Sequence, residues 1–227
     1  MATPSTTPFP LTGNPWVDVI TNGYYWDTGP SNIIYWSASD NLPLNLEWTD
    51  SLDVVQSLSD VFEYYSFYID VEFVYTGFYS SPSEAYLSGS DINVSLDYMI
   101  DSPAWAYAWF PNSAYDDSVY LGAPGDVFLN VASEANFLPS YEVGSTGWFL
   151  MLHELGHALG LKHPHDGGTT GSPTALELGF DEYDIDWISV MSYNDDYNFS
   201  QISLEPASPM LIDVLGLQYI YGANMAN

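Results

Sequence analysis

Two hydrophobic periods alternate along this chain. Residues 33–38 combine Ile, Tyr and Trp with small polar positions and predict a short strand. A polar, proline-marked connection then leads into a helix beginning near Thr49 or Asp50, on which Val55, Leu58, Phe62 and Tyr65 recur at helical spacing. From Ile69 the period drops to two: Ile69, Val71, Phe73 and Tyr75 fall on one face, Asp70 and Glu72 on the other. Ile92, Val94, Leu96 and Tyr98 repeat that pattern, as do Trp105, Tyr107 and Trp109 against Ala104, Ala106 and Ala108, and residues 126–131 predict one more short strand. Ser145 or Thr146 caps a helix running through Trp148, Phe149, Leu150, Met151 and Leu152, apolar nearly all round and so expected to be buried. The last helix is expected to start at Ser208-Pro209, to turn Leu211, Ile212, Val214, Leu215 and Tyr219 inward, and to stop at Gly222. Residues 1–32, rich in Pro, Gly, Thr and Asn, read as an extended segment with little regular structure. The stretch from Pro164 to about Glu205 reads as irregular, and a loop that long inside a compact domain usually has a function.

The composition removes several function classes. A chain of 227 residues with 47% hydrophobic and 17% aromatic content is too apolar for a disordered acidic segment, so its net charge of -29 belongs on a folded surface. That surface is either simply well solvated or adapted to salt, where screening relieves self-repulsion. One basic residue against 30 acidic ones leaves nothing to neutralise phosphates, so neither nucleic acid nor an anionic membrane is an expected partner. Cysteine is absent, which restricts any metal site to nitrogen and oxygen ligands. No apolar run reaches the roughly 18 residues of a membrane span, and residues 1–11 are polar and proline-rich, so neither an anchor nor an intact signal peptide is expected.

All four histidines fall in one segment, HELGHALGLKHPH: His153, His157, His163 and His165. His153 and His157 are one helical turn apart on one face and reach a single ion together. Gly160 accepts a left-handed conformation, ends the helix and returns His163 to that ion. Three uncharged imidazoles leave zinc its full electrophilic character, able to bring a water in the fourth position to a pKa of about 7. Glu154, next to the first histidine, is then the general base rather than a ligand.

HELGHALGLKH fits the long zinc signature of the metzincin peptidases. Pro164 follows the third histidine as in the serralysin branch, Ser189-Val190-Met191-Ser192-Tyr193 is similar to that branch's Met-turn, and PMLIDVLGLQYIYGAN at 209–224 is similar to the helix closing its catalytic domain. The resemblance spans most of the chain and is concentrated in residues 145–224. It implies an α+β metzincin (zincin-like) fold: a mixed twisted sheet with two long helices above, an irregular lower subdomain with the Met-turn and C-terminal helix below. It also implies a single catalytic domain over 1–227, divided into an extended N-terminal segment (1–32), an upper lobe (33–163) and a lower lobe (164–227). The implied activity is that of a secreted, extracellular, monomeric zinc endopeptidase acting on protein or peptide substrates.

By the same resemblance Met191 forms a hydrophobic floor under the histidines, and Tyr193 can ligate zinc at rest and swing to stabilise the oxyanion. Gly125, Asp126, Val127, Phe128, Leu129 and Asn130 resemble the edge strand on which the substrate backbone pairs, a mode that gives affinity with little side-chain selection; an ordinary internal strand is the alternative. The family commonly continues into glycine-rich calcium repeats, which these residues do not include. Calcium at Asp116-Asp117, Asp181-Glu182 or Asp195-Asp196 is the weaker alternative to plain solvated carboxylates. Lys162 is expected to point to solvent and His165 to be a bystander, with an orienting or auxiliary-ligand role as its weaker alternative. Two rival readings are a zinc-containing binding or adhesion module without turnover, and a metal-dependent hydrolase of another small acyl substrate.

Overall fold

Alternating positions in the upper half build one mixed sheet, and the two helical stripes cover it. The computed structural model describes residues 1–40, 51–99, 101–130, 132, 141–169, 171–194 and 205–226. In chain order these form β1 (Thr3–Pro4), α1 (Pro15–Asp18), β2 (Trp26–Asp27), β3 (Ile33–Asp40), α2 (Ser51–Tyr68), β4 (Glu72–Tyr79), α3 (Pro82–Leu87), β5 (Ile92–Asp97), β6 (Ala106–Ala108), α4 (Ala114–Ser118), β7 (Val127–Asn130), α5 (Thr146–Ala158), α6 (Ala175–Leu178) and α7 (Leu211–Tyr221). The sheet has five strands in the order β4, β3, β5, β7, β6. Strand β3 is parallel to β4 and β5, β5 is parallel to β7, and β6 runs antiparallel to β7. This is an α+β architecture compatible with a metzincin-like fold.

The position of β7 corrects the edge-strand expectation. Val127, Phe128, Leu129 and Asn130 pair with β5 on one side and β6 on the other, and all four are buried. Gly125 and Asp126 continue the pairing, through Gly125 N to Trp109 O at 3.1 Å and Trp109 N to Asp126 O at 2.9 Å. The Asp126 carboxylate is turned inward, accepting from Asn93 N and from the Tyr120 hydroxyl, each at 2.8 Å. A short apolar run reads the same for an inner and an outer strand, because edge status is decided by the neighbours. Among the described residues the two edges of the sheet are β4 and, on this side, β6.

Helix α2 buries Val54, Leu58, Val61, Phe62 and Tyr65, and the Tyr65 hydroxyl donates to Leu152 O on α5 at 2.6 Å. Because α2 continues to Tyr68, the following strand begins at Glu72, three residues later than the period predicts; Ile69 forms a lone bridge to Ala223 instead. The expected start of α2 at Thr49 or Asp50 lies outside the described residues. Helix α5 is capped as expected by Ser145, whose Oγ accepts from Trp148 N at 3.2 Å. Helix α7 starts at Leu211 rather than Ser208, because the Asp213 carboxylate accepts from Met210 N at 2.8 Å and makes Met210 the cap.

The N-terminal segment, irregular as expected, is a strap across the end of α5. Carbonyls in the last helical turn have no partner within the helix. Ala158 O takes the Trp26 indole N–H at 2.9 Å, Leu159 O the Tyr221 hydroxyl at 2.9 Å, and Gly160 O the Asn22 N–H at 2.9 Å, while Lys162 N donates to Ile20 O at 2.8 Å.

Candidate metal centre and cleft

Two turns of α5 and the bend after it bring three imidazoles to one point. Gly160 sits at φ +102, and a Cβ there would run into the carbonyl oxygen of Tyr24, so both the conformation and the close approach require glycine. Beyond this bend His163 returns until its Nε2 is 3.1 Å from Nε2 of His153 and 3.0 Å from Nε2 of His157.

The opposite ring nitrogens fix the tautomers. Nδ1 of His153 contacts Val190 O at 2.7 Å, Nδ1 of His157 contacts Leu161 O at 2.8 Å, and Nδ1 of His163 contacts Asp166 Oδ2 at 2.7 Å. A carbonyl or carboxylate oxygen only accepts, so each Nδ1 carries the proton and each Nε2 presents a lone pair to the other two. Three lone pairs facing one another repel unless a cation sits among them. Zinc with bonds of about 2.0–2.1 Å to tetrahedral nitrogens spaces them by about 3.4 Å, close to the arrangement found. Burial, followed by the neighbouring rings, pushes the imidazolium pKa to about 3 at His153 and His157 and about 4 at His163, so all three are neutral at pH 7, as metal ligation needs. The donor set fits zinc.

Beside the histidines opens a cleft of about 260 Å³, whose wall includes Ala106, Tyr107 and Ala108 of β6, Phe110, Glu154 and Tyr193. Glu154 is 5% exposed and its Oε2 has no hydrogen-bond partner among the described residues, an unusual state for a buried carboxyl. Burial alone pushes its pKa up to about 8, and a zinc dication held by the neighbouring histidines would lower that value and leave the carboxylate that a base must be. Tyr193, 65% exposed, lays its ring against His163 at 4.4 Å and parallel to His153 at 5.4 Å. Burial of its hydroxyl, then the charges of Glu154 and Asp166, pushes that group up to about 12, so it remains a donor at neutral pH. Met191 is fully buried beneath α5; a Cβ on Gly156 would sit 2.5 Å from its sulfur, so the glycine in the histidine motif lets the helix rest on the turn that carries Met191.

The structure thus brings His153, His157, His163, Glu154, Met191 and Tyr193 together, and leaves residues 125–130 one strand back from the cleft. Sequence reasoning missed Asp166, Ser189 and Asp213. From His153 a chain of hydrogen bonds runs through the 190–191 peptide: Nδ1 to Val190 O, Met191 N to Ser189 Oγ at 3.0 Å, and Ser189 Oγ to Asp213 Oδ1 at 2.6 Å. Lys162 is also a correction: it is 2% exposed rather than in solvent, because four backbone carbonyls collect around its ammonium. His165 stacks parallel to His163 at 5.0 Å and places Nδ1 3.5 Å from Asp184 Oδ2. Of the acidic pairs, Asp116 accepts from Gly122 N at 2.7 Å, and Asp195-Asp196 lie outside the described residues.

Partners that orient a ligating histidine typically affect metal affinity by about 10- to 100-fold. Burial pushes the Asp166 carboxyl up, but the His163 ring N–H together with the charges of His163, His165 and Lys162 outweighs it and holds it below its usual value. Its side chain is 55% exposed, so the lower end applies: Asp166→Ala should weaken zinc binding by about 10-fold, measured by chelator competition, and an unchanged affinity would show that the contact does not orient His163.

No protein-family model matches the chain. It is 33% identical over 132 residues to the metalloprotease AprA of Pseudomonas entomophila, an alignment covering 54% of this chain and 25% of that protein. It is likewise 33% identical over 139 residues to a serralysin of Proteus mirabilis, covering 60% of this chain and 27% of the relative. A serralysin of Photorhabdus laumondii aligns over 83% of this chain and 37% of its own length at 26% identity. The chain thus spans about a quarter to just over a third of these curated relatives.

Proposed function

We propose, from the premise of a serralysin-like metalloprotease domain, that this chain hydrolyses internal peptide bonds with His153, His157 and His163 as zinc ligands and Glu154 as general base. The observation carrying this reading is the convergence of three Nε2 atoms at 3.0 and 3.1 Å, each ring tied outward through Nδ1, beside a buried carboxyl with an unpartnered oxygen. Bound zinc supplies Lewis acidity, polarising the scissile carbonyl and acidifying a coordinated water. Glu154 Oε2, kept free of internal hydrogen bonds, takes a proton from the attacking water as the carbon–oxygen bond forms, then gives it to the nitrogen as the carbon–nitrogen bond breaks. The Tyr193 hydroxyl donates to the oxygen on which negative charge develops, a contribution of ~2.7–4 kcal/mol for such donors.

Substrate lies along β6 in this reading. The backbone of an edge strand gives a peptide its hydrogen bonds, and the methyl side chains of Ala106 and Ala108 leave that backbone approachable. Action outside the cell and the three-part division of the domain belong to the same proposal. Among the described residues no helix is long and apolar enough to cross a membrane.

Casein digestion by the zinc-loaded protein tests the reading. Cleavage should stop with 1,10-phenanthroline and return when zinc is added back. Protein shown to hold zinc but giving no chelator-sensitive cleavage would instead be a binding module.

A further inference from the structure

The one basic side chain of a chain with net charge -29 is Lys162, and it is buried. An ammonium in the interior persists only where oxygen atoms replace its water. Its Nζ lies 2.6 Å from Val19 O, 2.7 Å from Asp166 O, 3.1 Å from Pro173 O and 3.3 Å from His163 O. All four oxygens are main-chain carbonyls, drawn from the N-terminal strap, the bend carrying His163, and the segment leading into α6. Several carbonyl oxygens around one positive centre is how protein loops hold a hard metal cation. Here the charge is tethered to the residue before His163. Asp166 links the two centres: its carbonyl accepts from Lys162 Nζ while its carboxylate contacts His163 Nδ1 at 2.7 Å.

We propose that Lys162 is a positioning residue for the metal centre, a built-in structural cation that folds the 163–173 segment back on the N-terminal strap and so sets the angle at which His163 meets the metal. The inference rests on His163 being a zinc ligand. A staple that merely held the fold together would lower the stability of metal-free and metal-bound protein alike. A positioning residue changes the metal site itself.

The test is made on the full chain with three readouts: zinc affinity by competition with a chromophoric chelator, the visible spectrum of the Co(II)-substituted protein, and the thermal midpoint without metal. Lys162→Met fills the same channel with a stem that donates nothing. It should bind zinc about 10-fold more weakly or worse and show an altered Co(II) spectrum, with Lys162→Arg intermediate. A folded Lys162→Met with zinc affinity within twofold of the parent overturns the proposal. Should that variant not fold, Lys162→Ala is refolded in propylammonium or tetramethylammonium chloride at equal ionic strength. Zinc binding regained only with propylammonium, which can donate hydrogen bonds, supports the proposal; recovery with both salts or with neither makes Lys162 a fold staple and overturns it. The parent is titrated first, and a parent that takes up no zinc sinks the metal-centre reading itself rather than this step alone.

Discussion

Glu154→Gln should hold zinc as tightly as the parent and lose peptide hydrolysis by about 10²- to 10⁴-fold, the usual worth of a general acid–base group. The substitution preserves shape and replaces a cleft carboxyl oxygen that has no partner among the described residues, Oε2, by an amide that cannot take a proton at neutral pH. Because Glu154 projects from α5 beside the ligands without a hydrogen bond to any of the three imidazoles, the lone-pair cluster should survive intact. Stability should not fall, since a buried carboxyl with an unpartnered oxygen is a cost to the folded state. The loss should appear in kcat with KM little changed, because the proton is moved only on the way to the transition state. His157→Ala provides the contrast: it removes a ligand and should lose zinc and activity together. Kinetics paired with metal analysis decide between them. Activity within tenfold of the parent in a zinc-loaded Glu154→Gln protein would remove Glu154 from the chemistry.

The parts of this site legible in the sequence are those fixed by local geometry. His153 and His157 share a face because helical spacing demands it, Gly160 announces the bend by its conformation, and Ser145 caps α5 through an atom three residues away. What the sequence left hidden was decided by distant neighbours. Nothing within residues 125–130 says that β6 will cover their outer side. Lys162 looks like a solvent residue until Val19, far away in the chain, supplies an oxygen at 2.6 Å. The N-terminal strap looks like spare chain because its partners are the helix-end carbonyls of Ala158 and Gly160, groups that every sequence possesses and none displays. Asp213 reads as one polar residue on an apolar helix, and only the fold places it against Ser189 and Val190.

That carboxyl should make the stability of the protein fall as pH rises through about 6. Asp213 is fully buried, and burial raises its pKa; the hydrogen bonds from Ser189 Oγ, Val190 N and Met210 N work the other way. Burial wins, lifting the pKa from 3.8 to about 6. The folded state therefore binds this proton more tightly than the unfolded chain does. Its stabilisation is fully present below the unfolded pKa near 4 and is lost as pH rises through the folded value, a total of about 3 kcal/mol at 1.36 kcal/mol per pH unit. The other acidic groups titrate over the same range, so the measurement must be a difference. Urea unfolding of metal-free parent and Asp213→Asn, compared at each pH from about 4.5 to 7.5 to stay above the pI of about 4.1, isolates the one group. The stability of the parent relative to the variant should decline by about 2 kcal/mol across that window. A relative stability that rises with pH would mean that the three donors outweigh burial, and that Asp213 anchors the turn under the histidines as a carboxylate at every pH where the protein folds.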